Sequence, residues 1–392
     1  MPKLNLLRIT TVPMSLDKLL EGQLRFMQQH FEVTAMSADP EGLKRVGEKE
    51  GVPVYSLPLT RKITPLRDAM AVWRLYRYLK KTKPTIVHTH TPKAGIVGML
   101  AAKLAGVPLR LHTVAGLPLM EANGPKRSLL NSVEKATYGY ATHVYPNSKG
   151  LYDYIVSEGL VPPSKLAIIG AGSSNGIDTS HFDPALFATE EKRHLRHTLQ
   201  IDPNSFVYVF VGRLVGDKGI NELVRAFKNL SGQSDGVPPT LLLVGPLEPE
   251  LDPLRPDTLR EIDNHPHIVS VGYQDDVRPY FAIANALVFP SYREGFPNVV
   301  LQAGAMGLPA IVTDINGCNE IVEDGRNGLL VQPKDAISLY DAMRRLVHDR
   351  ALYADLAAHA RPQITGRFER AQVWEALLAE YQRLLREKGL ST

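Results

Sequence analysis

The chain has 392 residues, 44% of them hydrophobic and 22% charged, with a formal net charge of +4. That length exceeds one compact core and implies two domains, and the composition excludes a disordered or fibrous protein. The single cysteine, Cys318, excludes an internal disulfide; no apolar run approaches the roughly 20 residues of a membrane-spanning helix, and residues 1–11 lack the order of a signal peptide, so a cytoplasmic location is expected.

In chain order, residues 4–11 read as a strand, 16–29 as a helix by apolar spacing, and 31–36 and 53–57 as further strands. Residues 61–83 then read as a basic amphipathic helix. Arg61, Lys62, Arg67, Arg74, Arg77, Lys80, Lys81 and Lys83 interleave with Ala69, Met70, Val72, Trp73, Leu75, Tyr76 and Leu79. Such a helix suits an anionic membrane surface or an acidic acceptor. It equally suits the solvated outer helix of a Rossmann-like domain. The charge is uneven along the chain: residues 1–190 hold 23 Lys and Arg against 15 Asp and Glu, and residues 191–392 hold 22 against 26. No nucleic-acid recognition motif accompanies the basic residues, so nucleic acid is not an expected partner.

Residues 85–89 read as a buried strand ending in His88, His90 and Lys93. Helix 94–105, strand 109–114 with His112, helix 127–140 and strand 143–146, followed by Asn147 and Ser148, continue the alternation. Continuous apolar strands separated by helices indicate a parallel sheet covered on both faces. The turn-rich stretch 170–178, with Ser173 to Asn175, closes this half. A polar segment, 189–204, precedes a second alternating set with strands at 206–211, 240–244, 267–271, 286–289 and 310–313. From about residue 353 the chain reads as helical, interrupted near 362–366. The expected fold class is α/β, with Rossmann-like parallel-sheet domains at 1–188 and 200–360 and a terminal helical segment at 361–392.

The second set carries two motifs. Gly212-Arg213-Leu-Val-Gly-Asp-Lys218-Gly219 follows its first strand, where ligands bind in open α/β sheets. Its glycines permit close backbone approach, while Arg213 and Lys218 supply positive charge. Pro290-Ser-Tyr-Arg-Glu294-Gly-Phe-Pro-Asn-Val-Val-Leu-Gln302 follows strand 286–289. There a helix opening at 298, with Asn298 as its expected N-cap, offers free N–H groups and a positive dipole end, and Glu294 can accept hydrogen bonds from sugar hydroxyls. A phosphate cradle beside a polyol-reading carboxylate is what a nucleotide-sugar requires. No Asp-x-Asp pair, phosphate-binding Walker loop or complete dinucleotide fingerprint occurs. His88 and His90 form a His pair at metal spacing, without a third ligand, so no metal is expected.

Glu294-Gly-Phe-Pro, Gly307-Leu-Pro-Ala-Ile-Val and Glu320-Ile-Val-Glu-Asp-Gly-Arg-Asn-Gly328 resemble the donor-site signature of retaining GT-B glycosyltransferases of the GT4 type. That resemblance implies two domains facing a cleft, a last helix crossing back to the first domain, and a UDP-sugar as donor with no other cofactor. It implies catalytic roles for Glu294, His112, Arg213 and Lys218. Donor contacts are implied for Arg213, Lys218, Gly245, Tyr273, Glu294, Gly295, Phe296, Asn298, Val299 and Gln302. Weaker acceptor contacts fall on Met14, Ser15, His90, Lys93 and Asn147. Gln302 stands where the family usually has a second Glu reading the ribose, and an amide keeps that hydrogen-bonding ability. Residues 11–15 lack the family's double glycine. His88-Thr-His-Thr-Pro-Lys-Ala-Gly95, Thr113-Val-Ala-Gly-Leu-Pro118 and Asn175-Gly-Ile-Asp178 look most like enzymes of bacterial surface-polysaccharide and lipid-linked oligosaccharide synthesis. Those transfer a hexose or N-acetylhexosamine to a polyprenyl-diphosphate-linked saccharide at the inner membrane face. Two rivals share the pattern: a UDP-N-acetylglucosamine 2-epimerase, and a non-catalytic sugar-nucleotide-binding subunit, for which Gln302 is the hint.

Overall fold

The computed structural model describes residues 3–60, 64–121, 123–233, 236–250 and 252–390; Arg61 and Lys62 of the expected basic helix lie outside the described residues. The chain divides into two compact units, Met1–Asn175 with Arg370–Thr392, and Gly176–Glu369. The divisions fall at 175/176 and 369/370 rather than at 188 and 361. The reason is local: the stretch after Asn175 is fastened to the second unit, Ile177 N donating to the Phe368 carbonyl at 2.9 Å and the Arg361 guanidinium to the Thr179 carbonyl at 3.0 Å.

In the first unit, β1 (Asn5–Ile9), β2 (Glu32–Ser37), β3 (Val54–Ser56), β4 (Ile86–His90), β5 (Leu109–Val114) and β6 (His143–Pro146) form a six-stranded parallel sheet of order β3-β2-β1-β4-β5-β6. Helices α1 (Pro13–Leu19), α2 (Gln23–Gln28), α3 (Pro40–Glu50), α4 (Pro65–Thr82), α5 (Pro92–Ala105), α6 (Gly124–Tyr140) and α7 (Lys149–Ser157) connect and cover it. Proline opens α1, α3, α4 and α5, where a missing N–H costs nothing and its fixed φ suits the first turn. The single helix expected over 16–29 is two, because Gly22 adopts a left-handed φ of 75°. A Cβ there would sit 2.7 Å from the Trp374 ring, so the break also makes room for the last helix of the chain.

The second unit repeats the plan. Its strands are β7 (Val207–Val211), β8 (Thr240–Val244), β9 (Ile268–Ser270), β10 (Ala286–Phe289), β11 (Ala310–Thr313) and β12 (Gly328–Val331), in the order β12-β11-β10-β7-β8-β9. The sixth strand, β12, was not among the expected strands; it is four residues long and its glycine-led sequence carries little strand signal. Helices α8 (Thr189–Thr198), α9 (Ile220–Ser231), α10 (Pro256–Asn264), α11 (Arg278–Ile283), α12 (Asn298–Ala305), α13 (Cys318–Ile321), α14 (Ala336–His348) and α15 (Arg350–Thr365) surround it. Pro362 lies inside α15, and the interruption comes after Thr365. In each sheet the strand order reverses direction beside the first strand, between β1 and β4 and between β7 and β10. Open α/β sheets bind ligands at the carboxyl ends of strands flanking such a reversal.

The last helix, α16 (Arg370–Glu387), belongs to the first unit. Its buried residues Val373, Leu377, Tyr381, Leu384 and Leu385 recur at helical spacing, and all but Val373 join Leu6, Leu16, Leu20 and Phe31 in one core. Each large apolar side chain buried there contributes about 1.5–3 kcal/mol.

Candidate functional site

The polar strand ends of the first unit are buried in a hydrogen-bonded network. His88 is fully buried, its Nδ1 2.5 Å from the Tyr381 hydroxyl and its Nε2 2.8 Å from Thr113 Oγ1. His90 Nε2 lies 2.9 Å from a buried guanidinium, Arg8 Nη2, which also donates to Gln23 Oε1 at 2.5 Å. Arg8 Nη1 donates to the Tyr381 hydroxyl at 3.2 Å. Burial, reinforced by Arg8, holds both imidazoles well below their ordinary pKa, and they stay neutral. This network joins β1 and β4 to α16.

His112 does not share their side of the sheet. It pairs in register with Thr89, and His88 with Leu111, so its ring points to the opposite face. There it is 2% exposed, bonded to Thr89 Oγ1 at 2.8 Å, packed on Tyr138, and pushed down to about 4 by burial. A Cβ on Gly95 would come within 2.6 Å of it. The structure thus places His112, expected in a catalytic role, among buried side chains on the face opposite His88 and His90. Lys93 is also committed, 2.5 Å from Asp68 on α4 and largely buried. Met14 is exposed at the start of α1, with Ser15 half-buried beside it. Asn147 is buried, its amide donating to Ser174 Oγ at 3.3 Å. It borders a cavity of about 20 Å³ with His88, His90 and Ser173, room for one water. Among the described residues no group of three His, Cys, Asp or Glu could hold a metal.

The second unit brings Lys218 and Glu294 together at the reversal point between β7 and β10. Three glycines bring the loops together. Gly245, after β8, has φ of 147°, and a Cβ on it would lie 1.8 Å from the Gly212 carbonyl after β7. Gly219 has φ of 71°, and a Cβ there would meet the Pro290 carbonyl at 2.1 Å. Only glycine fits either contact. The turn 216–218 is held by Asp252, whose carbonyl accepts from Gly216 N at 3.2 Å and whose carboxylate accepts from Asp217 N at 2.6 Å.

The loop after β10 is fixed from three sides. Tyr292 N donates to the Asp217 carbonyl at 2.9 Å, Tyr292 OH to Glu222 at 2.6 Å, and the Asn316 amide to the carbonyls of Glu294 and Gly295, each at 2.9 Å. Held in this way, Glu294 presents its carboxylate to Lys218 Nζ at 2.5 Å, with the two side chains 15% and 16% exposed. Arg213 lies on the same loop as Lys218, its Nη1 3.1 Å from Glu248 Oε2. Beneath them Cys318 is buried, and burial together with the Glu294 charge pushes its thiol well up. It is no thiolate nucleophile.

Helix α12 begins at Asn298, and Pro297 stands at the N-cap without a side-chain cap. The expectation of Asn298 as cap is corrected by one position: Pro297, with its fixed φ, takes the extended cap conformation. The first turn, with Asn298 and Val299, is left uncapped by any side chain. Gln302 follows one turn on, half-buried, while Phe296 is buried against Phe368. Tyr273 is 68% exposed beyond β9, next to Gly272, whose carbonyl accepts from Gly245 N at 2.8 Å. Sequence reasoning missed Glu248, Asp252 and Asn316. Only Asn316, in an Asn-Gly turn, carried a local signal.

Residues 205–349 match the family described as "Glycosyl transferases group 1", and residues 23–172 match a "Glycosyl transferase 4-like domain". The chain is 31% identical over 380 residues to the capsular polysaccharide biosynthesis glycosyltransferase CapM of Staphylococcus aureus, covering 97% of each. It is 30% identical over 308 residues, 77% of each chain, to the Escherichia coli UDP-Gal:alpha-D-GlcNAc-diphosphoundecaprenol alpha-1,3-galactosyltransferase. Among solved structures, Anabaena HepE in complex with UDP superposes with a TM-score of 0.79 at 18% identity, over 96% of this chain and 99% of that one. WaaG, a glycosyltransferase involved in lipopolysaccharide biosynthesis, gives 0.69 at 15%, over 95% and 98%. Each unit carries a six-stranded parallel sheet covered by helices, and the fold is that of GT-B glycosyltransferases.

Proposed function

This chain belongs to the group 1 glycosyltransferases, and we propose that it moves a hexose or N-acetylhexosamine from a UDP-sugar to a polyprenyl-diphosphate-linked saccharide, with retention and without a metal. The observation that carries the reading is the 2.5 Å approach of Lys218 to Glu294, with Arg213 on the same loop, at the reversal point of the second sheet. A cation for the diphosphate and a carboxylate for sugar hydroxyls are thereby fixed side by side. The donor is supported by the E. coli relative, whose name specifies UDP-Gal, and by the UDP bound in HepE. The acceptor class is supported by that relative's diphosphoundecaprenol and by the capsular role of the S. aureus protein.

In the proposed reaction the bond from the anomeric carbon to the phosphate oxygen breaks, and the acceptor hydroxyl forms its bond on the face the diphosphate leaves. A phosphate oxygen takes the hydroxyl proton. Arg213 and Lys218 neutralise the charge gathering on the leaving diphosphate, where a preorganised site counts most. Glu294 orients the sugar; α12's N-terminus, with Asn298 and Val299, faces a phosphate, and Gln302 reads ribose. Purified protein should release UDP from one UDP-sugar, undiminished by EDTA and stimulated by a polyprenyl-diphosphate-saccharide. EDTA-abolished release would reject metal independence. A UDP-sugar isomerised without acceptor would replace transfer by epimerisation.

We place the contact with the acceptor's membrane on α4. Leu66, Met70 and Trp73 are 87%, 49% and 59% exposed at positions i, i+4 and i+7, one apolar stripe. Arg74, Arg77, Lys80 and Lys81 are exposed further along the helix. An apolar stripe followed by basic residues matches an interfacial helix on anionic lipid; no described helix is long and apolar enough to cross a membrane. The protein should sediment with phosphatidylglycerol vesicles at low salt, and a Leu66→Ser, Met70→Ser, Trp73→Ser variant should not. Equal sedimentation of both would remove α4 from the contact.

A further inference from the structure

Each cation at the donor loops is matched by a carboxylate: Lys218 by Glu294, Arg293 by Asp217, and Arg213 by Glu248. Glu294 has the sugar to hold, and Asp217 accepts the Tyr292 N–H through its carbonyl as well. Glu248 has neither duty, yet it is not a loose surface group. The chain beyond β8 runs alongside the chain beyond β7: Gly212 N donates to the Val244 carbonyl at 2.9 Å, Leu214 N to the Pro246 carbonyl at 2.8 Å, and Leu214 bridges to Leu247. This two-residue extension of the ladder sets the Glu248 carboxylate 3.1 Å from Arg213 Nη1.

We propose that Glu248 is a built-in counter-ion of the donor site, which holds Arg213 when the nucleotide is absent and drives the product UDP out after transfer. The inference rests on the reading of Arg213 as a diphosphate ligand. A diphosphate reaching Arg213 enters the field of a carboxylate already bonded to it, and the two anions share one guanidinium. The repulsion is not equal for substrate and product. A UDP-sugar has a diesterified diphosphate, whereas UDP ends in a phosphate whose last ionisation has a pKa of about 6. At neutral pH, UDP therefore carries close to one more negative charge, and Glu248 weakens it more than the donor. The site discriminates by repulsion, through a carboxylate that need touch neither ligand.

Calorimetric titration with UDP separates the possibilities. Glu248→Gln should tighten UDP by about two- to fivefold at pH 7.5, the range of a half-exposed ion pair, and by less at pH 5.5, where the terminal phosphate has lost most of that charge. Glu250→Gln, which removes the same charge two residues on at an exposed position, should leave UDP affinity unchanged. Unchanged or weaker binding in Glu248→Gln, an equal gain in Glu250→Gln, or the same gain at both pH values would overturn the role of Glu248. Wild-type protein that binds no UDP would instead overturn the diphosphate assignment of Arg213, and the inference with it.

Discussion

Glu294→Gln is expected to lower turnover by about 10²–10³-fold, the cost of removing one preorganised polar contact that strengthens in the transition state, while UDP affinity is not weakened. The two effects separate because Glu294 faces two ways. Its carboxylate is fixed by a loop whose backbone groups are held by the Asn316 amide and the Asp217 carbonyl, in hydrogen bonds that do not need the Glu294 charge. The amide preserves shape but is a weaker acceptor for sugar hydroxyls as positive charge builds at the anomeric carbon. Lys218, released from its partner 2.5 Å away, remains available to the diphosphate, so UDP binding does not suffer. Single-turnover rates and UDP calorimetry on the same variant check both halves. Unchanged turnover would remove Glu294 from the sugar site.

Arg213→Ala is expected to act differently, weakening UDP by about 10–100-fold and lowering turnover at least as much. A hydrogen bond to a charged group is worth about 1.5–3 kcal/mol, and the guanidinium can offer the diphosphate two parallel N–H groups while Glu248 keeps a third. Arg213→Lys should recover only part of the loss, because an ammonium lacks the planar fork. Stopped-flow turnover with UDP calorimetry distinguishes the two residues: Glu294 loss falls on rate, Arg213 loss on both. Normal UDP binding by Arg213→Ala would refute its place on the diphosphate.

The parts of this account legible from sequence are those with local causes. The apolar runs at 207–211, 240–244 and 286–289 are buried strands at or within a residue of the expected places. The loop after the first meets the loops after the other two because Gly245 and Gly219 allow backbones to touch. What was illegible is non-local. His88 and His90 look like a reactive strand end until Arg8, 82 residues before His90, and Tyr381, 293 residues after His88, close around them. A strand's alternation hides the fact that His112 faces the other way, since that depends on its register with Thr89. Glu248 has no motif at all; its position follows from a ladder that outlasts the strands it joins. Glycine and charge patterns thus locate a site, while the partners that set its electrostatics come from elsewhere in the chain.

A crystal structure of the full chain with UDP tests the central claim most directly. Diphosphate oxygens within hydrogen-bonding distance of both Arg213 and Lys218, with the Glu294 carboxylate parted from Lys218 and no bridging metal, is the predicted result. A diphosphate held by a divalent cation, or lodged away from the loops after β7 and β10, would contradict it.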